Sequence, residues 1–296
     1  ADWDGGTVTL DLAKGVTAGS VAIKGGVALE GTGIISSDII AMDLAIGNKS
    51  ATTGVSFSQT VVLSNTAATA PLTTLTLTGG GLISATAYAT TTLTATNNVN
   101  ISTLDATGYV GNLNIAGATT KAGASVTLGA GANTITAALA DLARDAISID
   151  GGDGADTLVF SDPGNATYRP GLSGIETLDI DAKATAGGAT EVSLLDTTGV
   201  VTIALDLDST DQNFTISGAT SVSAYKLEAA AAATTDIITL GSGATLAVTN
   251  VNATLGDAAT SLVLPNAVDL SIAVGKSESD VDTAAIDLTT LTTASA

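Results

Sequence analysis

The segment with the strongest chemical signal is Gly151–Val159, which reads GGDGADTLV. The segment matches a known nine-residue pattern, G-G-x-G-x-D-x-U-x with U aliphatic, at Gly151, Gly152, Gly154, Asp156 and Leu158. Glycine lets the backbone turn tightly and direct carbonyl oxygens inward, and aspartate adds a carboxylate. Calcium accepts about 6–8 such oxygen ligands at about 2.3–2.6 Å. The segment, with Asp153 inside it, therefore predicts a calcium-binding turn.

One such turn cannot fill the coordination shell of calcium, so a bound ion would lie between the turns of successive coils. The expected partner turn is GAGAN, with Gly129, Gly131 and Asn133, in which Asn133 takes the place of Asp156. Asparagine keeps a carbonyl oxygen but has no charge, so we expect weaker binding than between two aspartates. The alternative interpretation is a Gly-Asp turn that holds no ion.

Three other acidic segments carry weaker signals. Asp2–Gly6 (DWDGG) is interpreted as an acidic turn, and DLDSTDQ, with Asp206, Asp208 and Asp211, as a solvated turn with a second calcium loop as the alternative. In ESDVD, the residues Glu278, Asp280 and Asp282 have period-2 spacing. That spacing predicts either a weak cation site or a charged strand edge that discourages aggregation.

The composition excludes several classes of catalytic and metal site. The 296-residue chain has no cysteine and no histidine, so Ser-His-Asp triads, cysteine nucleophiles and imidazole or thiolate metal sites lack their residues. A formal charge of −20 disfavours nucleic acid and anionic lipid as partners. No apolar run reaches the length of about 18 residues that marks a transmembrane segment. Oxygen-ligand cation chemistry, carboxylate acid–base chemistry and a purely structural role stay open.

Short strands are expected to position the turns. Aliphatic residues alternate with Thr, Ser and Asp along most of the chain, as in LTTLTLT at 72–78 and VTIALDL at 201–207, and turn residues follow. Helix signals are confined to Ala137–Arg144 and Tyr225–Ala233. Aromatic residues make up 3% of the chain, so we expect an aliphatic core with little room for rings. The predicted fold class is all-β.

A repeat in the middle of the chain favours a β-solenoid (a parallel β-helix or β-roll) over stacked sandwiches. Gly129–Ile135 (GAGANTI) aligns with Gly152–Leu158 (GDGADTL), and the strand SVTL at 125–128 aligns with AISI at 146–149. A period of about 20–25 residues is typical of such coils. We therefore expect a solenoid with the calcium turn over 71–255. A β-rich N-terminal module or cap over 1–70 and β-rich C-terminal strands over 256–296, serving as cap or lattice contact, would flank it.

These residues resemble a known family. The GGDGADTL turn, with Gly174–Ile180 (GIETLDI) later in the chain, is similar to the RTX proteins of Gram-negative bacteria. Ser102–Ile115 (STLDATGYVGNLNI) and Ser125–Thr136 (SVTLGAGANTIT) are similar to strand repeats of the surface-layer branch of that family. The resemblance covers residues 72–182. It implies calcium as cofactor, type I secretion, folding outside the cell when calcium binds, and assembly into a lattice on the cell surface.

The expected function is therefore that of a secreted structural protein: a subunit or segment of a calcium-stabilised surface layer or extracellular filament. Its expected partners are copies of itself, with lipopolysaccharide or another surface polysaccharide as a further candidate. The opening ADWDGG shows no export signal, which fits a removed signal, an export route that needs none, or a segment of a longer chain. Calcium that binds only the folded state would delay folding until export.

Two other classes of function stay open. An adhesin stalk or phage fibre module would share the solenoid, although the few aromatic residues form no cluster for a receptor tip. A carbohydrate-active β-helix enzyme is less favoured, because Arg144 and Arg169 are the only arginines and aromatic sugar platforms are missing. Paired carboxylates, as in hydrolases, keep that alternative open. The protein is not expected to be an enzyme.

Overall fold

A computed structural model describes 26 strands and the turns between some of them. The described residues are 8–12, 17–24, 32–36, 40–47, 58–65, 71–80, 82–84, 87–88, 90–96, 99–116, 120–138, 147–161, 166–182, 188–207, 212–218, 222, 224–229, 237–239, 245–250, 261–263 and 269–274. Within these ranges there is no helix. The all-β prediction is confirmed.

The strands are short and follow one another closely. Their bounds are β1 Val8–Leu12, β2 Ala18–Lys24, β3 Thr32–Ser36, β4 Ala41–Gly47, β5 Ser58–Asn65, β6 Leu72–Gly80, β7 Leu82–Ser84, β8 Ala87–Tyr88, β9 Thr90–Thr96, β10 Val99–Val110, β11 Asn112–Ala116, β12 Thr120–Thr127, β13 Thr134–Ala138, β14 Ser148–Asp150, β15 Thr157–Ser161, β16 Thr167–Tyr168, β17 Gly171–Ser173, β18 Thr177–Ala182, β19 Gly188–Ser193, β20 Thr202–Leu207, β21 Gln212–Ser217, β22 Ala224–Ala229, β23 Ile237–Thr239, β24 Thr245–Asn250, β25 Ser261–Val263 and β26 Asp269–Val274.

The first of two compact units consists of Ala1–Asp141 and Ile147–Thr157. Its strands form two large sheets, with the orders β1-β3-β5-β9-β11-β13 and β2-β4-β6-β10-β12-β14. Consecutive strands alternate between the sheets, and neighbours such as β2 and β4 run parallel. The short ribbon of β7 and β8 is antiparallel. Parallel neighbours one coil apart are the arrangement of a β-solenoid. The strands before residue 71 belong to it, because β4 pairs with β6 and β5 pairs with β9.

The second unit consists of Leu142–Ala146 and Leu158–Ala296. Its sheets have the orders β15-β18-β20-β22-β24-β26 and β16-β19-β21-β23-β25. The pairs between neighbours here are again parallel, as in β20 with β22 and β19 with β21. Both units thus consist of parallel sheets of many strands, consistent with the predicted β-solenoid.

In the strands whose side chains are described, one face contributes to the core. In β6, Leu75 and Leu77 are buried and Thr76 between them is partly exposed, as the period-2 pattern predicts. Leu72, three residues before Leu75, is also buried. The core is mainly aliphatic, as expected, but it also contains a few aromatic rings. Tyr109 and Phe160 are fully buried, and the Tyr109 hydroxyl donates a hydrogen bond to Thr91 Oγ1 at 2.6 Å. Burial raises the pKa of Tyr109 above its usual value.

Two predictions from the sequence differ from the structure. Residues 224–229 form β22, so the helix predicted from Tyr225 onward was wrong over Tyr225–Ala229. Lateral pairing with β20 and β24 outweighs the helix propensity of alanine, which is at most several tenths of a kcal/mol per residue. In the predicted helix Ala137–Arg144, Ala137 and Ala138 end β13, and the rest lies outside the described residues.

The second difference concerns register. The structure pairs Ser125 with Ser148 and Val126 with Ile149, two residues later than the predicted alignment of SVTL with AISI. A shift of two residues keeps every side chain on the same face of the sheet, so the alternating pattern cannot detect it. The alignment of GAGANTI with GDGADTL is confirmed, because the Thr157 N–H donates to the Asn133 carbonyl oxygen at 2.8 Å.

Candidate functional site

The predicted calcium turn joins β14 to β15. Gly152 and Gly154 have φ values of 84° and 149°, in the region that L side chains rarely adopt. The Gly152 N–H donates to Asp150 Oδ1 at 3.2 Å, which closes the start of the turn. Gly151 and Asp156 are buried, whereas Asp153 is exposed. The glycines therefore carry the chain through a bend that ends with the aspartate side chain turned inward.

Three turns from successive coils lie in register, and we call residues 109–113, 129–133 and 151–156 the turn stack. Backbone hydrogen bonds join them: the Gly131 N–H donates to the Asp153 carbonyl oxygen at 2.8 Å, and the Gly111 N–H donates to the Ala130 carbonyl oxygen at 3.0 Å. A β-carbon on Gly152 would lie 2.6 Å from the Gly129 carbonyl oxygen. The backbones therefore approach so closely that only glycine fits at this position.

Polar side chains connect the turns of the stack at one register position. Asp156 Oδ1 accepts a hydrogen bond from the Asn133 backbone N–H at 2.7 Å, and Asn133 Oδ1 accepts one from the Leu113 backbone N–H at 3.0 Å. Asp156 and Asn133 are 1% and 2% exposed. Each side chain thus satisfies a buried N–H of the preceding coil. The bond to the carboxylate is charge-assisted and so is the stronger type.

The Asn133 side-chain nitrogen lies among three backbone carbonyl oxygens. Nδ2 donates to the carbonyl oxygens of Gly131 at 3.1 Å, Gly151 at 3.3 Å and Gly129 at 3.4 Å. The orientation of the amide follows from its partners, because Oδ1 faces an N–H donor and Nδ2 faces three acceptors. The structure therefore brings together Gly129, Gly131, Asn133 and Gly151 around one point, with Asp156 bonded to the backbone of Asn133.

Calcium does not fit at this point while Asn133 keeps its orientation. An ion about 2.3–2.6 Å from these carbonyl oxygens would lie against Nδ2, and an amide nitrogen has no lone pair to offer a cation. Rotating the amide to present Oδ1 would set the NH₂ group against the Leu113 N–H. Of the other expected ligands, Gly152 and Gly154 shape the turn, and the carbonyl oxygen of Asp153 is bonded to Gly131.

The remaining acidic segments add no assembled site in the part of the chain that is described. Asp206 lies in β20, in register with Asp181 of β18 and Glu228 of β22. Asp208, Asp211, the segment 2–6 and residues 278–282 lie outside the described residues. Among the side chains that are described, no group of three or more carboxylates is arranged to hold a metal ion.

A second ordered feature crosses the sheet of β2, β4, β6, β10, β12 and β14. Six polar residues occupy one register position on its outer face, and we call them the hydroxyl–carboxylate row: Ser20, Asp43, Thr76, Asp105, Thr127 and Asp150. Ser20 Oγ donates to Asp43 Oδ2 at 3.2 Å. Asp105 Oδ1 accepts from the Thr107 hydroxyl at 2.7 Å and from the Thr107 backbone N–H at 3.0 Å, and these bonds lower the pKa of Asp105.

Sequence reasoning missed this row, although the strand alternation contained part of the signal. Alternation marks each of these residues as outward-facing, but only the register of successive strands shows that hydroxyls and carboxylates alternate across the sheet. Adjacent strands are about 4.8 Å apart, so the carboxylates of Asp43 and Asp105 are separated by two strand spacings, roughly 10 Å. That separation is comparable to the Debye length of about 8 Å in physiological salt, so the two charges repel each other weakly.

In the described residues, no helix is long and apolar enough to cross a membrane. A scan against protein-family models finds no match to the chain, and searches of curated proteins and of solved structures find none either.

Proposed function

We propose that this protein is an extracellular structural protein, a subunit or segment of a surface layer or filament that assembles from copies of the chain. The observation that carries the proposal is an open strand edge. In the first unit, β2 hydrogen-bonds to β4 and to no other described strand. A strand with one free edge presents a row of N–H and C=O groups that another chain can pair with.

The direction of these groups follows from the bonds of β2 to its neighbour. The Thr17 carbonyl oxygen accepts from the N–H groups of Ile40 at 3.0 Å and Ala41 at 3.3 Å. Successive residues of a strand direct their backbone polar groups to opposite sides, so those of Ala18, Ser20 and Ala22 face the open edge. The side chains of these three residues are exposed. Strand pairing at this edge would extend the parallel sheet of the first unit by a further chain.

The outer face of the same sheet supports a structural role. The hydroxyl–carboxylate row offers small polar side chains in regular register, and none of its members is aromatic. The chain carries a formal charge of −20, so copies repel one another at low ionic strength. Salt screens that repulsion, with a Debye length of about 10 Å at 0.1 M and about 3 Å at 1 M. Assembly should therefore increase with salt concentration.

The calcium-dependent folding implied by the resemblance is not part of this proposal. The side-chain NH₂ group of Asn133 occupies the point on which the carbonyl oxygens of the turn stack converge. The proposal therefore needs no ion there. It requires only that folded chains meet through strand edges, with the secreted, cell-surface location as a separate expectation from the resemblance.

The proposal is tested by sedimentation velocity and electron microscopy of the purified chain over a range of protein and salt concentrations. The matched variants are Ala22→Pro, which removes one edge-facing N–H, and Ala22→Val, which keeps it. Proline is tolerated in strands where the N–H faces away from the ladder, so the bonds between β2 and β4 should survive. We expect ordered assemblies from the wild-type chain and from Ala22→Val. The critical concentration of Ala22→Pro should be raised by about 2- to 12-fold, because each contact loses one edge hydrogen bond worth about 0.5–1.5 kcal/mol.

Circular dichroism of the three proteins checks that the fold is retained. A wild-type chain that remains monomeric at high salt and high protein concentration would contradict the proposal. Equal assembly by Ala22→Pro and Ala22→Val would contradict the assignment of the β2 edge as the contact.

A further inference from the structure

We propose that the side-chain amide of Asn133 substitutes for a divalent cation in the turn stack, so that the stack holds without calcium and exchange of this one residue for aspartate creates a calcium site. The inference concerns the ion requirement of the first unit and does not rest on the proposed assembly. It starts from the three carbonyl oxygens that converge on Nδ2.

The three oxygens come from two successive coils. Gly129 and Gly131 belong to one turn, and Gly151 begins the next. Carbonyl oxygens from two glycine turns are the kind of oxygen ligands that calcium takes. Backbone carbonyls directed at a common point repel one another unless a positive group lies between them. Here the partly positive NH₂ group of Asn133 occupies that place.

The hydrogen bonds that Nδ2 makes are long because its donors are fewer than its acceptors. An amide nitrogen carries two hydrogens, whereas three carbonyl oxygens lie 3.1–3.4 Å from it. The surroundings are therefore those of a cation site occupied by a neutral donor. The bond from the Leu113 N–H to Oδ1 holds the amide in this orientation.

Aspartate at position 133 would reverse this balance while keeping the shape of the side chain. One carboxylate oxygen would keep the bond from the Leu113 N–H, and the other would face the carbonyl oxygens of Gly129, Gly131 and Gly151. A second carboxylate, that of Asp156, is bonded to the backbone N–H of the same residue. An oxygen-lined point with two carboxylates close by favours a divalent cation, because the cation offsets the added negative charge.

Asn112 provides a matched control from the same stack. Its Oδ1 accepts a hydrogen bond from the Ala132 N–H at 3.0 Å. Aspartate at position 112 can keep that bond. Asn112→Asp therefore adds the same charge as Asn133→Asp, at the residue next to Leu113, without removing a hydrogen bond. Asn112 is partly exposed, so the added charge stays in contact with water.

The test is hydrogen exchange of the Leu128 and Gly131 amides, both of which bond across the stack, measured in EDTA and in 1 mM calcium or magnesium. For wild type and Asn112→Asp we expect exchange rates within about twofold in all three conditions. For Asn133→Asp we expect amide exchange at least about tenfold faster in EDTA than in the wild type. Calcium should return the exchange rate to the wild-type value. Equimolar magnesium should not, because magnesium demands a smaller, octahedral ligand shell. Isothermal titration with calcium alone should show one site in this variant.

Two outcomes would overturn the inference. One is a wild-type stack that gains tenfold or more protection from calcium, and the other is a folded Asn133→Asp chain that binds none. If Asn133→Asp fails to fold even with calcium, NMR of the side-chain NH₂ group of Asn133 in the wild-type chain provides the test. These protons should exchange slowly, and calcium should not shift their resonances. A calcium-dependent shift would contradict the proposal that the amide takes the place of a cation. Light scattering of the same samples measures assembly, so a failure of the proposed assembly is detected separately from the calcium result.

Discussion

Replacing Gly152 with alanine should lower the local stability of the turn stack, by an amount that can be worked out from the distances around Gly152. Gly152 has a φ of 84°, and a β-carbon there would lie 2.6 Å from the Gly129 carbonyl oxygen and 2.8 Å from that of Leu128. An ordinary carbon–oxygen contact is about 3.3 Å, so the coils must separate by roughly 0.7 Å. That separation stretches the flanking 2.8 Å bonds from Leu128 N–H to Asp150 and from Gly131 N–H to Asp153.

The expected loss combines two terms. Positive φ costs an L residue about 1–2 kcal/mol, and two weakened cross-coil hydrogen bonds add about 0.5–1.5 kcal/mol each. The lower conformational entropy of unfolded alanine offsets about 0.4–1 kcal/mol. The net local destabilisation is about 1–4.6 kcal/mol, which corresponds to roughly 5- to 2,000-fold faster exchange of the Leu128 and Gly131 amides.

Gly199→Ala is the control that separates the two terms. Gly199 has a similar φ of 97°, yet a β-carbon there would be 3.5 Å from its nearest neighbour. Only the backbone term applies, so exchange near residue 199 should accelerate by about tenfold or less. The assay is native-state hydrogen exchange followed by mass spectrometry on overlapping peptides. Equal effects of the two substitutions, or unchanged protection in Gly152→Ala, would refute the close packing of successive turns.

Three further changes test the core and the surface. Phe160→Ala should lower the free energy of unfolding by about 3–5 kcal/mol in urea titrations, whereas Leu195→Ala, whose side chain is 67% exposed, should change it by less than about 0.5 kcal/mol. Tyr109→Phe should cost about 0.5–1.5 kcal/mol through the lost bond to Thr91. Because the folded state raises the pKa of Tyr109, wild-type stability should fall as pH rises above about 10, and Tyr109→Phe should lose less over the same range. Arg169→Ala should cost less than about 1 kcal/mol, and 0.5 M salt should remove most of that difference, because both partners of the Arg169–Asp196 ion pair are more than two-fifths exposed.

The strands and the turn motif were predictable because both depend on local spacing. Alternation identified Leu75 and Leu77 as core, and the glycine pattern identified the turn at Gly151 together with its partner at Gly129. Register was less accessible, since a two-residue slip between β12 and β14 leaves the inward face unchanged. The buried hydroxyl of Tyr109 bonds to Thr91, eighteen positions earlier in the chain, and no local pattern links the two residues.

The candidate site shows a different limit of sequence reasoning. The pattern placed Asn133 opposite Asp156 and treated its oxygen as a weak ligand. The structure assigns that oxygen to the Leu113 N–H and turns the nitrogen toward the carbonyl oxygens. The orientation of the Asn133 amide could not be predicted from the sequence, because the Leu113 N–H comes from a third coil whose turn lacks the nonapeptide pattern. An asparagine at a ligand position can thus be either a ligand or a substitute for the metal, and only its hydrogen-bond partners distinguish the two.

The spacing of paired strands also has a consequence for how such a chain can change over evolutionary time. Thr202 of β20 pairs with Ala224 of β22, whereas Ala41 of β4 pairs with Thr74 of β6, so the chain length between paired positions differs greatly. The described strands keep their parallel pairing at both chain lengths. Insertions can therefore accumulate in the segments that connect consecutive strands. Whole coils can also be duplicated or deleted, because each strand depends mainly on its two neighbours. These connecting segments are accordingly the places where an inserted foreign peptide should disturb the strand pairing least.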